Sequence, residues 1–182
     1  MELCSIVNFS LRSDLPALLI PAVQIITNIN QLCVVRRKGV AMFPAQGMCF
    51  RGSGLPEQHQ GFFVPGKKYR VPGFLASSSS EAIAFGFLIR AHIRQSVPVV
   101  LWRIHFDERG LKDPRYRCRH VNLVRHCNVA NEEEFLFAPY STFTVRAVAW
   151  NVGDDMEPHI IDLEAAIDNK REDEGVPLAP YY

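Results

Sequence analysis

Hydrophobic spacing divides the chain into a helical beginning and a β-rich remainder. Leu15, Leu18, Leu19, Val23, Ile26 and Ile29 recur at helical intervals. The pattern predicts a helix capped by Ser13 or Asp14, kinked or restarted at Pro21. Farther along, the apolar runs are short. Val34-Val35, Val40-Ala41-Met42-Phe43 and Met48-Cys49-Phe50 are strand candidates, and the last delivers Arg51 to a strand end. Gly52 to Pro56 is expected to be a loop, because glycine and proline break both regular states. Residues 62–73 read as turn, short strand and turn, and residues 74–78 as another strand. A helix follows, with Ser78 and Glu81 in a capping box, Ala82, Phe85, Ile89 and Ile93 along one side, and an end near Gln95. Residues 99–106 alternate: Val100, Trp102, Ile104 and Phe106 form one face, with Arg103 and His105 on the other. Residues 121–124, 135–137 and 142–150 are further strands, with Phe143, Val145, Ala147 and Ala149 sharing a face in the last. Residues 160–163 fit either a strand or a helix.

The most informative polar stretch interrupts this pattern. Asn131-Glu132-Glu133-Glu134 runs straight into Phe135-Leu136-Phe137, so the last glutamate stands where a loop enters the sheet. Side chains alternate along a strand, which puts Glu132 and Glu134 on one face if the pairing starts there. Adjacent carboxylates repel one another. They suit a cationic substrate or acid–base chemistry, while the plainer reading is a solvated acidic turn. Four consecutive hydroxyls, Ser77 to Ser80, mark a strand-to-helix junction. They can cap the helix, or they can hold a polar ligand beside its free amides.

Composition narrows the classes. The 182 residues suit one domain with a sizeable core, expected to span 1–182 with residues 151–182 as an arm packing back on it. A net charge of +1 gives no field favouring nucleic acid or an anionic membrane surface. Five widely spaced cysteines do not resemble a disulfide framework and fit a reducing compartment. The first residues lack the basic stretch of a signal peptide, and the apolar segment 15–26 is too short to span a membrane. The expectation is a soluble, intracellular monomer. Cys118, His120, His126 and Cys127 have the wrong spacing for a zinc finger or knuckle, so no metal is expected.

Three elements in order resemble the mono-ADP-ribosyltransferases of the arginine–serine–glutamate class. They are Phe50-Arg51-Gly52, then Gly73-Phe74-Leu75-Ala76-Ser77-Ser78, then Glu132-Glu133-Glu134-Phe135 with Ala138-Pro139-Tyr140 after it. The resemblance covers about residues 31–150. It implies an α+β fold, with two packed antiparallel β-sheets forming an NAD cleft and helices at the N-terminal side. It implies an NAD(+)–protein-arginine ADP-ribosyltransferase that releases nicotinamide and uses no metal, with a protein bearing an accessible arginine as partner. Arg51 would hold the phosphate and ribose side of NAD, with Gly52 beside it. Glu134 would bond the nicotinamide ribose and stabilise the oxocarbenium ion. Glu132 would engage the acceptor guanidinium. Ser77 and Ser78 are the hydroxyl candidates, and Tyr69, Phe74 and Phe87 the candidates to stack on nicotinamide. One departure stands out: Ala76 occupies the place of the first serine in the family's serine–threonine–serine motif. Ser77 could replace it only by a one-residue slip, which flips a strand side chain to the other face. The alternatives are an NAD glycohydrolase and a catalytically inactive interaction module of the same fold.

Overall fold

The computed structural model describes residues 3–13, 15–36, 43–95, 97–118, 121–124, 134–153 and 157–180. Two helices open the chain, α1 (Leu3–Ser13) and α2 (Pro16–Arg36). The sequence reading missed α1, although Val7 and Leu11 stand one helical turn apart; both are buried against Ile26 of α2. α2 runs through Pro21 without ending and absorbs Val34 and Val35, expected as a strand. The strand expected at 40–43 falls largely outside the described residues.

Among the described residues eight strands follow: β1 (Met48–Gly54), β2 (Lys68–Val71), β3 (Leu75–Ser78), β4 (Val99–His105), β5 (Val121–Val124), β6 (Glu134–Phe137), β7 (Ser141–Ala149) and β8 (His159–Ala165). One helix, α3 (Glu81–Gln95), separates β3 from β4. The hydrogen-bonded order is β2-β7-β8-β4-β1-β3-β6-β5. This order divides into a five-strand part and a three-strand part, joined where β1 meets β3. That junction is a single register pair, Phe50↔Ser78, whereas β1 and β4 stay in register from Met48↔His105 to Gly54↔Val99. The two parts pack face to face: Phe137 of β6 lies edge-on to Phe143 of β7, with ring centres 5.1 Å apart. The expected α+β class with packed sheets is therefore present. Two details differ from the expectation: the sheets are joined at the β1–β3 seam, and β4 pairs with β8 in parallel.

The alternation in β4 is decisive for layering. Val100, Trp102 and Ile104 enter the core between the two parts, and Val99 and Leu101 face α3. Burying each such side chain stabilises by roughly 1.5–3 kcal/mol. α3 turns Ala84 and Leu88 inward. The apolar side read from the sequence, Ala82, Phe85, Ile89 and Ile93, faces solvent, the last three at 39%, 39% and 74% exposure. Helical spacing alone ranks stripes by size, and here a close approach to the sheet selects the smaller one. β1 continues through Gly52 to Gly54, where a loop was expected, because α3 packs directly on it. A Cβ on Gly52 would lie 2.0 Å from the Ala84 carbonyl oxygen. In β7, a register shift between Val145 and Ala147 ends the expected common face: Phe143 and Val145 are buried while Ala147 and Ala149 are exposed.

β8, part of the expected arm, lies inside the sheet between β7 and β4. The chain after it crosses the edge strand β2. The Arg70 N–H donates to Pro177 O and the Ala179 N–H to Arg70 O, both at 2.8 Å. Arg70 Nη1 and Nη2 donate to the carbonyls of Tyr140, Glu172 and Asp173. This covers a β-edge that would otherwise present unpaired backbone groups. Among the described residues no helix is long and apolar enough to cross a membrane.

Candidate active site

The β1–β3 seam and the neighbouring β3–β6 ladder organise the expected site residues. Ser78 pairs with Phe50 on one side and with Glu134 on the other. Antiparallel partners share a face, with Cβ atoms about 4.5–5.5 Å apart, so Ser78 and Glu134 are side-chain neighbours. The Ser78 hydroxyl is buried and accepts from the Ser80 N–H at 3.1 Å. The helix itself starts at Glu81. Ser78 therefore fixes the turn into α3 from two residues before the cap, instead of forming the expected capping box.

Arg51 is half-buried, and by register it stands on the other face of the seam from Ser78 and Glu134. It leaves β1 on the face opposite Phe50, and its Nη1 donates across the seam to Ala76 O at 2.8 Å. Its neighbours Tyr69, Val71, Leu75, Trp102, Ile104 and Leu163 line a small apolar cavity with it. A guanidinium against apolar surroundings interacts more strongly with an anion than one in open water.

Ser77 is not on this row. Its hydroxyl points to the opposite face of β3, 2.9 Å from Phe135 O and 3.2 Å from Cys49 Sγ, and is buried. The slip that would let Ser77 replace the missing serine is absent, since the register Ser77↔Phe135 and Ser78↔Glu134 is unbroken. Gly52 serves helix packing, as its contact with Ala84 requires.

Two of the three aromatic candidates are also committed elsewhere. Tyr69 is buried in edge-to-face contacts with Phe62 and Phe63, at 5.6 and 5.4 Å, and burial pushes its phenol pKa up. Its ring also lines the small cavity beside Arg51. Phe74 packs on the helical pair α1–α2, and its N–H donates to Asn8 Oδ1 at 3.1 Å. Phe87 is exposed on α3 with the Arg90 guanidinium 4.2 Å from its ring centre. Glu132 lies outside the described residues. Asn8 is the residue that sequence reasoning passed over: it ties the helices to the start of β3. The unread signal was the Val7/Leu11 pair flanking it.

No family model matches this sequence, and no curated protein matches it. Solved structures do resemble the fold. Vis, an ADP-ribosyltransferase toxin from Vibrio splendidus, in complex with agmatine, superposes with a TM-score of 0.63 at 16% identity over 89% of this chain and 67% of that one. Plx2a, an ADP-ribosyltransferase toxin from Paenibacillus larvae, gives 0.56 at 10% identity over 87% and 78%. The Clostridium limosum C3 exoenzyme gives 0.53 at 13% identity over 87% and 77%. This chain spans about two thirds of the length of Vis. The fold is that of the ADP-ribosyltransferases.

Proposed function

We propose that the protein cleaves NAD at the nicotinamide ribose and transfers ADP-ribose to an arginine side chain of another protein. The observation that carries the reading is the register pair Ser78↔Glu134, one strand from the Arg51 strand, on this fold. Two ladder steps separate β1 from β6, about 10 Å. Arg51 carries five donors in a planar fork suited to phosphate oxygens. Glu134 supplies the carboxylate.

The chemistry follows from charge. As the bond to nicotinamide breaks, positive charge grows on the ribose carbon and the leaving pyridinium becomes neutral. A carboxylate held beside that carbon stabilises the transition state more than the ground state. The Ser78 hydroxyl accepts from the Ser80 N–H, and Ser78 stands beside Glu134 on one face of the β3–β6 ladder. An arginine acceptor is cationic and needs an anionic guide, the role proposed for Glu132. Agmatine, present with Vis, is itself a guanidinium compound, which makes that group the first acceptor to try.

The test is nicotinamide release from NAD by the purified protein, with and without agmatine. Glu134→Gln should lower release by about a hundred- to a thousandfold. Glu132→Ala should remove transfer to agmatine and leave hydrolysis. Release that agmatine does not divert would favour the glycohydrolase. Ala76 is the observation favouring the inactive module, and calorimetry detecting no NAD binding would establish that reading instead.

A further inference from the structure

The β1–β3 seam has little backbone to hold it. Its ladder is the one pair Phe50↔Ser78, yet the strands it joins carry Arg51 on β1 and Ser78 on β3, with Glu134 one strand beyond on β6. Beneath it lies a polar contact that the chemistry described above does not use. Ser77 Oγ stands 3.2 Å from Cys49 Sγ and 2.9 Å from Phe135 O, so one hydroxyl touches β1 and β6 from β3. Cys49 is fully buried and Ser77 nearly so. Water cannot replace a lost partner there.

The bond directions follow from the count of protons. A hydroxyl has one proton, and the Phe135 carbonyl is a far better acceptor than a thiol sulfur. Burial pushes the Cys49 thiol pKa up to about 12, so the sulfur carries its proton at neutral pH. The thiol therefore donates to Ser77 Oγ, and the Ser77 hydroxyl donates to Phe135 O. The two bonds form a directed chain across three strands. Its ends lie two residues from Arg51 and one residue from Glu134.

We propose that Cys49, Ser77 and the Phe135 carbonyl form a buried clamp that sets the spacing of the strands carrying Arg51, Ser78 and Glu134. Cys49 and Ser77 are then positioning residues, and the catalytic half of this claim rests on the function proposed above. The Arg51 bond to Ala76 O closes the same seam two residues further along β1. It engages a residue that substrate would also need, so the clamp is the tie that remains in place during turnover.

The experiment compares Cys49→Val, Cys49→Ser and Ser77→Ala in the full chain. Val keeps a similar volume without a donor, and Ser keeps a donor. Nicotinamide release is measured as kcat and KM for NAD, with thermal unfolding alongside. Cys49→Val and Ser77→Ala should lower kcat by about ten- to a hundredfold, with KM changed less than about threefold. Cys49→Ser should stay within about threefold of the parent kcat. Equal kcat in Cys49→Val and Cys49→Ser, or losses matching only the unfolded fraction, would overturn the clamp. If the unmodified protein releases no nicotinamide, the proposed function fails, and amide hydrogen exchange decides the clamp. Protection at 75–78 and 134–137 should fall about tenfold in Cys49→Val and persist in Cys49→Ser. Identical exchange in both variants would sink the idea.

Discussion

Replacing Gly52 by alanine is a sharp test of how this fold is built. Position 52 sits beside Arg51 and invites a ligand-contact interpretation, but its surroundings are helical. A Cβ placed there meets Ala84 O at 2.0 Å and the Leu88 Cβ and N at 2.8 Å. To bring the first contact to 3.0 Å, α3 must retreat by about 1 Å from β1. That movement loosens Ala84 and Leu88 from Phe50, Val99 and Leu101, the whole core on that face. Overpacking of this kind costs about 1–3 kcal/mol and sometimes more; with backbone as the obstacle, about 3 kcal/mol is the expectation. For a chain of this size that lowers Tm by roughly 6–12 °C. The assay is thermal unfolding by circular dichroism. Leu88→Ala should not relieve the loss, because the shortest contact is to a carbonyl that no side-chain truncation removes. A Gly52→Ala protein melting within about 1 °C of the parent would refute the reasoning.

Other measurements probe the rest of the molecule. Arg70→Ala removes the donors to the Tyr140, Glu172 and Asp173 carbonyls, so cleavage within 172–179 by limited proteolysis should accelerate, with about 1–3 kcal/mol lost; an unchanged digestion pattern would count against the tail being held there. His159 has its pKa lowered, first by burial, and its Nδ1 accepts from the Asn151 N–H at 2.9 Å. Its neutral form is the one the fold favours, so its contribution is complete above the ordinary value of 6.5 and is lost as pH falls below it toward the folded value. His159→Gln should therefore shrink the drop in Tm between pH 7.5 and acid, and a drop of the same size would dismiss the idea.

Much of the sheet was legible because period-two alternation is a local property. Val100, Trp102, Ile104 and Phe106 announce their face in any context, and all four are buried. The end of α3 at Gln95 was legible because helical periodicity is local too. Three features resisted. The inward side of α3 was not legible because Phe85, Ile89 and Ile93 make the larger stripe, while the sheet takes Ala84 and Leu88. The glycines of β1 looked like a loop because strand propensity treats glycine as a breaker, whereas here its missing side chain makes room for a helix. Tyr69 and Phe74 looked like ligand platforms because an aromatic residue near a motif carries no mark of which neighbours enclose it.

For the candidate site, the chain alone determined the residue types and their order: an arginine following a short apolar run, hydroxyls before a helix, a carboxylate at a strand start. Those are facts of adjacency along the backbone. That β1 continues past Arg51 to Gly54 was not legible. Which of two consecutive serines stands opposite Glu134 is a fact of register between strands 56 residues apart. Only tertiary pairing decides register, because a shift of one residue exchanges the two faces of a strand at no local cost. In this protein that pairing sets Ser78 beside the carboxylate and turns Ser77 toward Cys49 in the interior.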